Sequence, residues 1–150
     1  MKEKTIKLLK ETPIFAGLSK NGIERLADLF QEIECPSGST IFEEGKPGES
    51  LLLIKSGKVE ISKHGLGSDR PVHLALRGPG EIIGEMAIIE NSTRFATARA
   101  INDVKLLSVS KDQFKILLKE NPIIAYEIMG TLSSRLRQSD LQMIADLERI

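Results

Sequence analysis

The chain lacks abundant cysteines, a long apolar segment and an excess of positive charge, the features typical of extracellular, membrane-spanning and nucleic-acid-binding proteins respectively. Its 150 residues include one cysteine, Cys35, and no tryptophan, and 21 basic residues balance 21 acidic ones. A single cysteine excludes an internal disulfide and favours a reducing compartment, so we expect a cytoplasmic protein. Zero net charge provides no overall field for DNA, RNA or an anionic membrane, and no segment approaches the roughly 20 apolar residues of a membrane span. We therefore expect this chain alone to bind neither nucleic acid nor membrane.

Patterns of catalytic and metal-binding residues are equally scarce. The two histidines, His64 and His73, are nine positions apart and have no cluster of further ligands at metal-binding spacing. No glycine-rich loop precedes a Lys-Ser or Lys-Thr pair, and no nucleophile stands beside a plausible base. The sequence therefore predicts no metal, no cofactor and no enzymatic activity.

The periodic segments predict one domain, residues 1–150, in three parts. A helical lead-in over 1–34 follows from apolar residues at helical spacing after Ser19, which is a good helix cap. Residues 35–110 alternate short β-rich runs with Gly, Pro, Ser and Asp, and this regular spacing indicates a sandwich or barrel. The predicted strands are Thr40 to Glu43, Ser50 to Ser56, Lys58 to Lys63, Val72 to Arg77, Ile82 to Ile83, Thr97 to Ile101 and Val104 to Ser110.

Helices are predicted again over 111–150. Ser110 and Gln113 have the spacing of a capping box, so a helix should run from Lys111 to about Lys119. Asn121-Pro122 then predicts the cap of a helix that could reach about 29 residues, or roughly 43 Å. Its first half is expected to pack on the chain's own barrel, and beyond Leu136 we expect a two-helix homodimer seam. The seam residues are Met129, Leu136, Met143, Leu147 and Ile150, interrupted by Ser133 and Asp140.

The stretch GEMAIIENSTRFATARA, residues 84–100, carries the strongest indication of a binding site. Gly84 permits a sharp turn after Ile82-Ile83, and a helical turn over Met86 to Ile89 would offer free N–H groups to an anion that Arg94 can also reach. Glu85 would repel that anion, unless it accepts hydrogen bonds from hydroxyl groups of the same ligand. A ribose 3′,5′-cyclic phosphate has one negative charge and a free 2′-hydroxyl, so it matches one arginine and one glutamate.

This stretch resembles the phosphate-binding cassette of the cyclic nucleotide-binding domain. That family includes bacterial catabolite activators, regulatory subunits of cAMP-dependent protein kinase and cyclic nucleotide-gated channels. The pattern of the family falls on Gly84, Glu85, Met86, Ala87, Arg94, Phe95, Ala96 and Thr97. The similarity extends to PIFAGLS before the first long helix, to GSTIFEEGKPGESLLLIKSGKVEIS across the early strands, and to the two closing helices.

The resemblance implies a mainly β fold, an eight-stranded jelly-roll β-sandwich with N-terminal helices and a long C-terminal helix. It implies that Glu85 binds the ribose 2′-hydroxyl and Arg94 the cyclic phosphate. The backbone near Gly84 and the amides near Met86, Ala87, Phe95 and Ala96 would complete the cradle. In the family the last helix also covers the base, and Arg135 and Ser139 are the candidates for that role.

One residue departs from the family pattern. Phe95 follows the arginine where the family usually has Ala, Ser or Thr. Members that favour cGMP commonly place Thr there, so Phe95 favours cAMP as the ligand, with cGMP as the alternative.

The resulting expectation is a non-catalytic cyclic nucleotide sensor that signals through its terminal helices to a downstream protein the sequence does not identify. Relatives that regulate transcription carry a helix-turn-helix just beyond this point, so the chain could be the sensor half of a longer catabolite-activator-like regulator. A degenerate domain kept for protein–protein contacts is the third reading, and Phe95 favours it.

Overall fold

The fold is a sandwich of two four-stranded antiparallel sheets flanked by helices. The computed structural model describes residues 2–67 and 69–149, so Ile150 of the predicted seam lies outside the described residues. The strands are β1 (Gln31–Cys35), β2 (Thr40–Phe42), β3 (Ser50–Ser56), β4 (Val59–His64), β5 (Pro71–Arg77), β6 (Ile82–Ile83), β7 (Thr97–Ala100) and β8 (Val104–Ser110). One sheet has the order β1-β8-β3-β6 and the other β2-β7-β4-β5, which confirms the predicted jelly-roll sandwich.

Among the described residues, five α-helices and one 3₁₀ turn surround the strands. The helices are α1 (Lys2–Glu11), α2 (Lys20–Leu29), α3 (Glu85–Ile89), α4 (Lys111–Glu120) and α5 (Pro122–Glu148), and the 3₁₀ turn covers Pro13–Phe15. The hydroxyl of Ser19 accepts a hydrogen bond from the Gly22 N–H at 3.1 Å, so the predicted cap of α2 is confirmed.

Strand β3 is apolar on both faces because it separates two cores. Leu51 and Leu53 belong to the core that packs the helices against the first sheet, whereas Leu52 and Ile54 belong to the core between the sheets. Side chains of a strand alternate between its two faces, so a continuous apolar run is what a strand buried on both sides requires. The cassette, which follows β6 in the same sheet, is thereby built next to a rigid part of the molecule.

The predicted helical lead-in over 1–34 is too long. Helix α2 ends at Leu29, Phe30 is already extended, and β1 begins at Gln31. Strand β1 pairs in register with β8, from Gln31 opposite Ser108 to Cys35 opposite Val104. Its residues are mostly exposed and polar because it is an edge strand, so the sequence has no apolar alternation that would mark it.

The closing helices follow the prediction except at their junction. The hydroxyl of Ser110 accepts a hydrogen bond from the Gln113 N–H at 3.3 Å, and α4 begins at the next residue as predicted. Asn121 was predicted to cap α5, but its side-chain amide donates to the Leu117 carbonyl at 3.2 Å. Asn121 therefore closes α4, because the carbonyls of the last helical turn lack intrahelical donors. Helix α5 then starts at Pro122 and runs for 27 residues.

The first half of α5 packs on the domain, as predicted, through Ile124 and Ile128, which are buried, and Leu132, which is partly buried. These three residues form a different stripe from the predicted seam, whose Met129 is exposed. In the part of the chain that the structure describes, none of the helices has both the length and the apolar character needed to cross a membrane.

Candidate functional site

The turn between β6 and α3 is set by Gly84. Its backbone is left-handed, with φ +80° and ψ 11°. A Cβ atom at this position would also collide with the guanidinium Nη1 of Arg94. Glycine is therefore needed both for the backbone conformation and for the close approach of the arginine.

Glu85 opens α3 and is paired with a residue of the last helix. It is 6% exposed, and its Oε1 accepts a hydrogen bond from Nη1 of Arg135 at 2.8 Å. Nη2 of Arg135 donates to the carbonyl of Ile82 at 2.9 Å. One guanidinium thus links α5 to both the strand before the turn and the acid after it. The structure brings Glu85 and Arg135, both named from the sequence, into direct contact.

Arg94 lies on the other side of Gly84 and is 5% exposed. Nη1 donates to the Gly84 carbonyl at 2.9 Å and Nη2 to the Ser50 carbonyl at 2.8 Å, while the guanidinium lies 4.4 Å from the centroid of the Phe42 ring. These contacts fix the side chain in one orientation.

The charge of Arg94 is incompletely compensated. Its Nε is buried and has no hydrogen-bond partner among the residues that the structure describes. Burial lowers the pKa of this guanidinium, and the carboxylates of Glu49 and Glu85 act in the opposite direction. Buried polar groups normally have partners, so a desolvated cation with a free donor indicates a position for an anion.

Backbone amides border the same position. The first N–H groups of a helix have no intrahelical acceptor, and in α3 these belong to the segment that begins with Glu85, Met86 and Ala87. On the other side of Arg94, Ala96 is 6% exposed, whereas the ring of Phe95 is 49% exposed. The cassette thus combines free amides, a buried guanidinium and a buried carboxylate. Ser139 is exposed on α5, about one helical turn beyond Arg135.

Three nearby strands contribute residues that the sequence analysis missed. Lys63 of β4 donates from Nζ to the Phe95 carbonyl at 2.8 Å and also contacts Glu44 at 3.2 Å. Ser50 and Phe42 contact Arg94 from more than 40 positions away. The pairing of Ser62 with Thr97 explains the position of Lys63, because it brings the end of β4 next to the cassette. Only the register of the strands could have revealed this contact.

A cavity of about 390 Å³ lies on another side of Arg135, between the 3₁₀ turn, the segment before β6 and α5. Arg77 and Arg135 line it, but Glu85 and Arg94 do not. We assign the binding chemistry to the cassette, because the unpaired buried donor is there. In the described ranges, no group of three or more His, Cys, Asp or Glu residues could hold a metal ion.

Comparisons with known proteins identify the family of the chain. A family model described as "Cyclic nucleotide-binding domain" matches residues 32–121. The "Cyclic AMP receptor protein" of Thermus thermophilus is 35% identical over 90% of this chain and 62% of its own length. The crystal structure of a Thermus thermophilus catabolite activator protein aligns with a TM-score of 0.79 at 34% identity, over 89% of this chain and 62% of that one.

A further solved structure contains a ligand. The regulatory domain of Toxoplasma gondii PKA, crystallised with cAMP, aligns with a TM-score of 0.72 at 27% identity, over 79% of this chain and 45% of that one. The chain thus spans about three fifths of the length of the Thermus relative and less than half of the Toxoplasma chain.

Proposed function

Because the chain belongs to the cyclic nucleotide-binding domain family, we propose that it is a non-catalytic sensor whose ligand is cAMP. The observation that carries this proposal is Arg94, a buried guanidinium with an unpaired Nε beside the free amides of α3. The relatives named above are a receptor and regulatory proteins rather than enzymes.

In the proposed complex the cyclic phosphate lies between Arg94 and the first turn of α3. Nε of Arg94 gains an acceptor, and the amides near Met86, Ala87, Phe95 and Ala96 donate to the phosphate oxygens. Gly84 contributes the turn that allows this approach. The single negative charge of a cyclic phosphate offsets the charge of the buried Arg94 guanidinium.

The ribose is recognised by Glu85 in this proposal. Its carboxylate has a second oxygen besides the one that contacts Arg135, so it can accept a hydrogen bond from the 2′-hydroxyl. Arg135 then connects the ligand with α5. A ligand can shift the equilibrium between two positions of α5 only by the difference in its binding free energy to the two. We propose that the Glu85–Arg135 contact supplies this difference.

Support for cAMP over cGMP comes from two directions. Phe95 supplies no hydroxyl where cGMP-preferring members commonly have Thr. One of the relatives cited above is named for cAMP and another was crystallised with it. As the chain covers 62% of its Thermus relative, a role as the sensor half of a longer transcription regulator is part of this proposal. The exposed Phe95 ring supports the rival reading, a domain that keeps the fold for protein contacts.

We expect cAMP to bind and to raise the unfolding temperature. A ligand present at 100 times its dissociation constant adds about 2.7 kcal/mol of stability, which corresponds to roughly 5–10 °C for a domain of this size. Calorimetric titration should give a tighter dissociation constant for cAMP than for cGMP. The absence of binding and of a thermal shift at millimolar cAMP and cGMP would support the hypothesis of a domain kept for protein contacts.

We expect the protein to leave the nucleotide intact. Chromatography after incubation of cAMP with the protein and a divalent metal should recover unchanged nucleotide, and turnover would refute the non-catalytic assignment.

We also propose that the protein is a homodimer through α5. Met129, Leu136, Met143 and Leu147 lie on one side of this helix at successive spacings of seven, seven and four residues, and each is about 60% exposed. An exposed apolar stripe on a helix that extends beyond its packed half is the geometry of a two-helix seam. The seam would place two domains side by side along their last helices.

Leu136→Asp combined with Met143→Asp should yield monomers in analytical ultracentrifugation, because two buried charges would face the partner helix without compensation. Leu141→Asp is the matched control, since Leu141 is equally exposed but lies off the stripe. Thermal unfolding of both variants should show a folded sandwich. An unmodified protein that sediments as a monomer at several hundred micromolar would refute the seam.

A further inference from the structure

Lys63 makes two contacts with the residue that follows Arg94 and a third with Glu44. Its Nζ donates to the Phe95 carbonyl at 2.8 Å, lies 4.0 Å from the centroid of the Phe95 ring and contacts Oε2 of Glu44 at 3.2 Å. The side chain of Lys63 is 36% exposed, so the ammonium is partly shielded from water. One cation thus holds both the backbone and the side chain of the residue that departs from the family pattern.

Glu44 holds Lys63 in this position. Its Oε1 accepts a hydrogen bond from the His64 N–H at 2.9 Å, while its own N–H donates to the hydroxyl of Thr97 at 3.0 Å. The His64 N–H and then the Lys63 ammonium hold the pKa of Glu44 below its ordinary value. Glu44 therefore stays negatively charged and anchors the ammonium between β4 and the start of β7.

Lys63 contacts the peptide group between Phe95 and Ala96 at its carbonyl oxygen, and the N–H of that group points away from Lys63. In a planar trans peptide the carbonyl and the N–H point in opposite directions, and here the N–H belongs to Ala96. Ala96 lies just before β7, is buried, and donates in none of the hydrogen bonds found outside helices and ladders in the described ranges. A cation on the carbonyl oxygen polarises the peptide and makes its N–H a stronger donor.

We propose that Lys63 is a positioning residue for the phosphate cradle. Its ammonium holds the Phe95 carbonyl, so that the Ala96 N–H is oriented and polarised toward the cyclic phosphate, and it keeps the Phe95 ring against β4 and out of the cradle. This inference rests on the proposed function of the cassette. It also explains how the domain accommodates a bulky residue directly after Arg94.

Lys63→Met, which keeps the apolar stem and removes the charge, should weaken cAMP and 2′-deoxy-cAMP equally, by about tenfold, because one charge-assisted contact is lost and it serves the phosphate. Lys63→Arg should bind both ligands nearly as well as the unmodified protein. In the ligand-free protein, the amide proton of Ala96 should shift upfield in Lys63→Met and return in Lys63→Arg. A role in stability alone would not produce this amide signal.

Two further variants complete the test. Lys105→Met removes the same charge from an exposed position on β8 and should leave binding unchanged. Phe95→Ala should retain binding and should still lose about tenfold on addition of Lys63→Met, because the carbonyl remains. The inference is overturned if Lys63→Met binds like the unmodified protein, if the Ala96 amide signal does not move, or if Phe95→Ala abolishes the effect of Lys63→Met. If the unmodified protein binds no cyclic nucleotide, it is the proposed function that fails.

Discussion

Replacing Arg94 with alanine should weaken the binding of every cyclic nucleotide by roughly 10-fold to 150-fold for each hydrogen bond that it donates to the phosphate. Each charge-assisted hydrogen bond contributes on the order of 1.5–3 kcal/mol, and the phosphate that receives it is present in all these ligands. The loss should therefore be the same for cAMP, cGMP and 2′-deoxy-cAMP. Isothermal titration calorimetry with the three nucleotides measures it.

The same variant should also be less stable without ligand. Arg94 donates to the carbonyls of Gly84 and Ser50, and each carbonyl left without a donor costs about 1–3 kcal/mol. Urea unfolding separates this effect from binding. Arg94→Lys keeps the charge but lacks Nε and the planar fork, so it should recover only part of the affinity. Arg99→Ala removes an exposed arginine of β7 and should change neither quantity. An Arg94→Ala protein that binds within about threefold of the original would exclude Arg94 as the phosphate ligand.

Replacing Glu85 with alanine should distinguish between ligands that differ by one oxygen atom. With cAMP the loss should be about 1.5–3 kcal/mol, roughly 10-fold to 150-fold in affinity. With 2′-deoxy-cAMP it should be close to zero, because that ligand lacks the hydroxyl from which Glu85 is proposed to accept a hydrogen bond. Competition against a fluorescent cyclic nucleotide provides both dissociation constants.

The contact between Glu85 and Arg135 makes the comparison of two ligands necessary. Without Glu85, the guanidinium of Arg135 loses its carboxylate partner and keeps the Ile82 carbonyl, so α5 is held less firmly. That disturbance is common to both ligands, so it cancels in the difference between them. Glu85→Gln, which keeps an acceptor oxygen, should lose less with cAMP than Glu85→Ala. Equal losses for the two nucleotides would mean that Glu85 only holds the turn and α5, and the ribose assignment would then be wrong.

The sequence predicted most accurately those elements whose residues are buried on both sides or end in a recognisable cap. The bounds of β3 and β8 were predicted to the residue, because Ser50–Ser56 and Val104–Ser110 are apolar runs that end in small polar residues. Strand β1 was missed because its residues are mostly exposed and polar, so that no apolar alternation marks it. Asn121 occupies the predicted N-cap position of α5, but its side chain bonds to the end of α4, since a side chain between two helices can serve either one.

The candidate site was predictable where its residues are neighbours in sequence. Gly84, Glu85 and Arg94 lie within one short motif, and their left-handed turn and buried charges agree with its pattern. The contacts of Lys63 and Ser50 depend on which residues of separate strands lie side by side. That register is decided by the packing of both cores together, so a local pattern of residues does not predict it.

The position of Arg135 on α5 has a mechanical consequence. Thirteen residues separate it from Glu148, the last residue of the helix, and at 1.5 Å per residue they form a rigid arm of about 20 Å. At the fixed end of this arm, Arg135 is hydrogen-bonded to the cassette through Glu85 and Ile82. A tilt of about 10° at the Arg135 contact displaces the free end by roughly 3 Å, which is close to a van der Waals contact distance. In the proposed sensor, a tilt of this size at the Glu85 contact would change which side chains can touch at the far end of the helix.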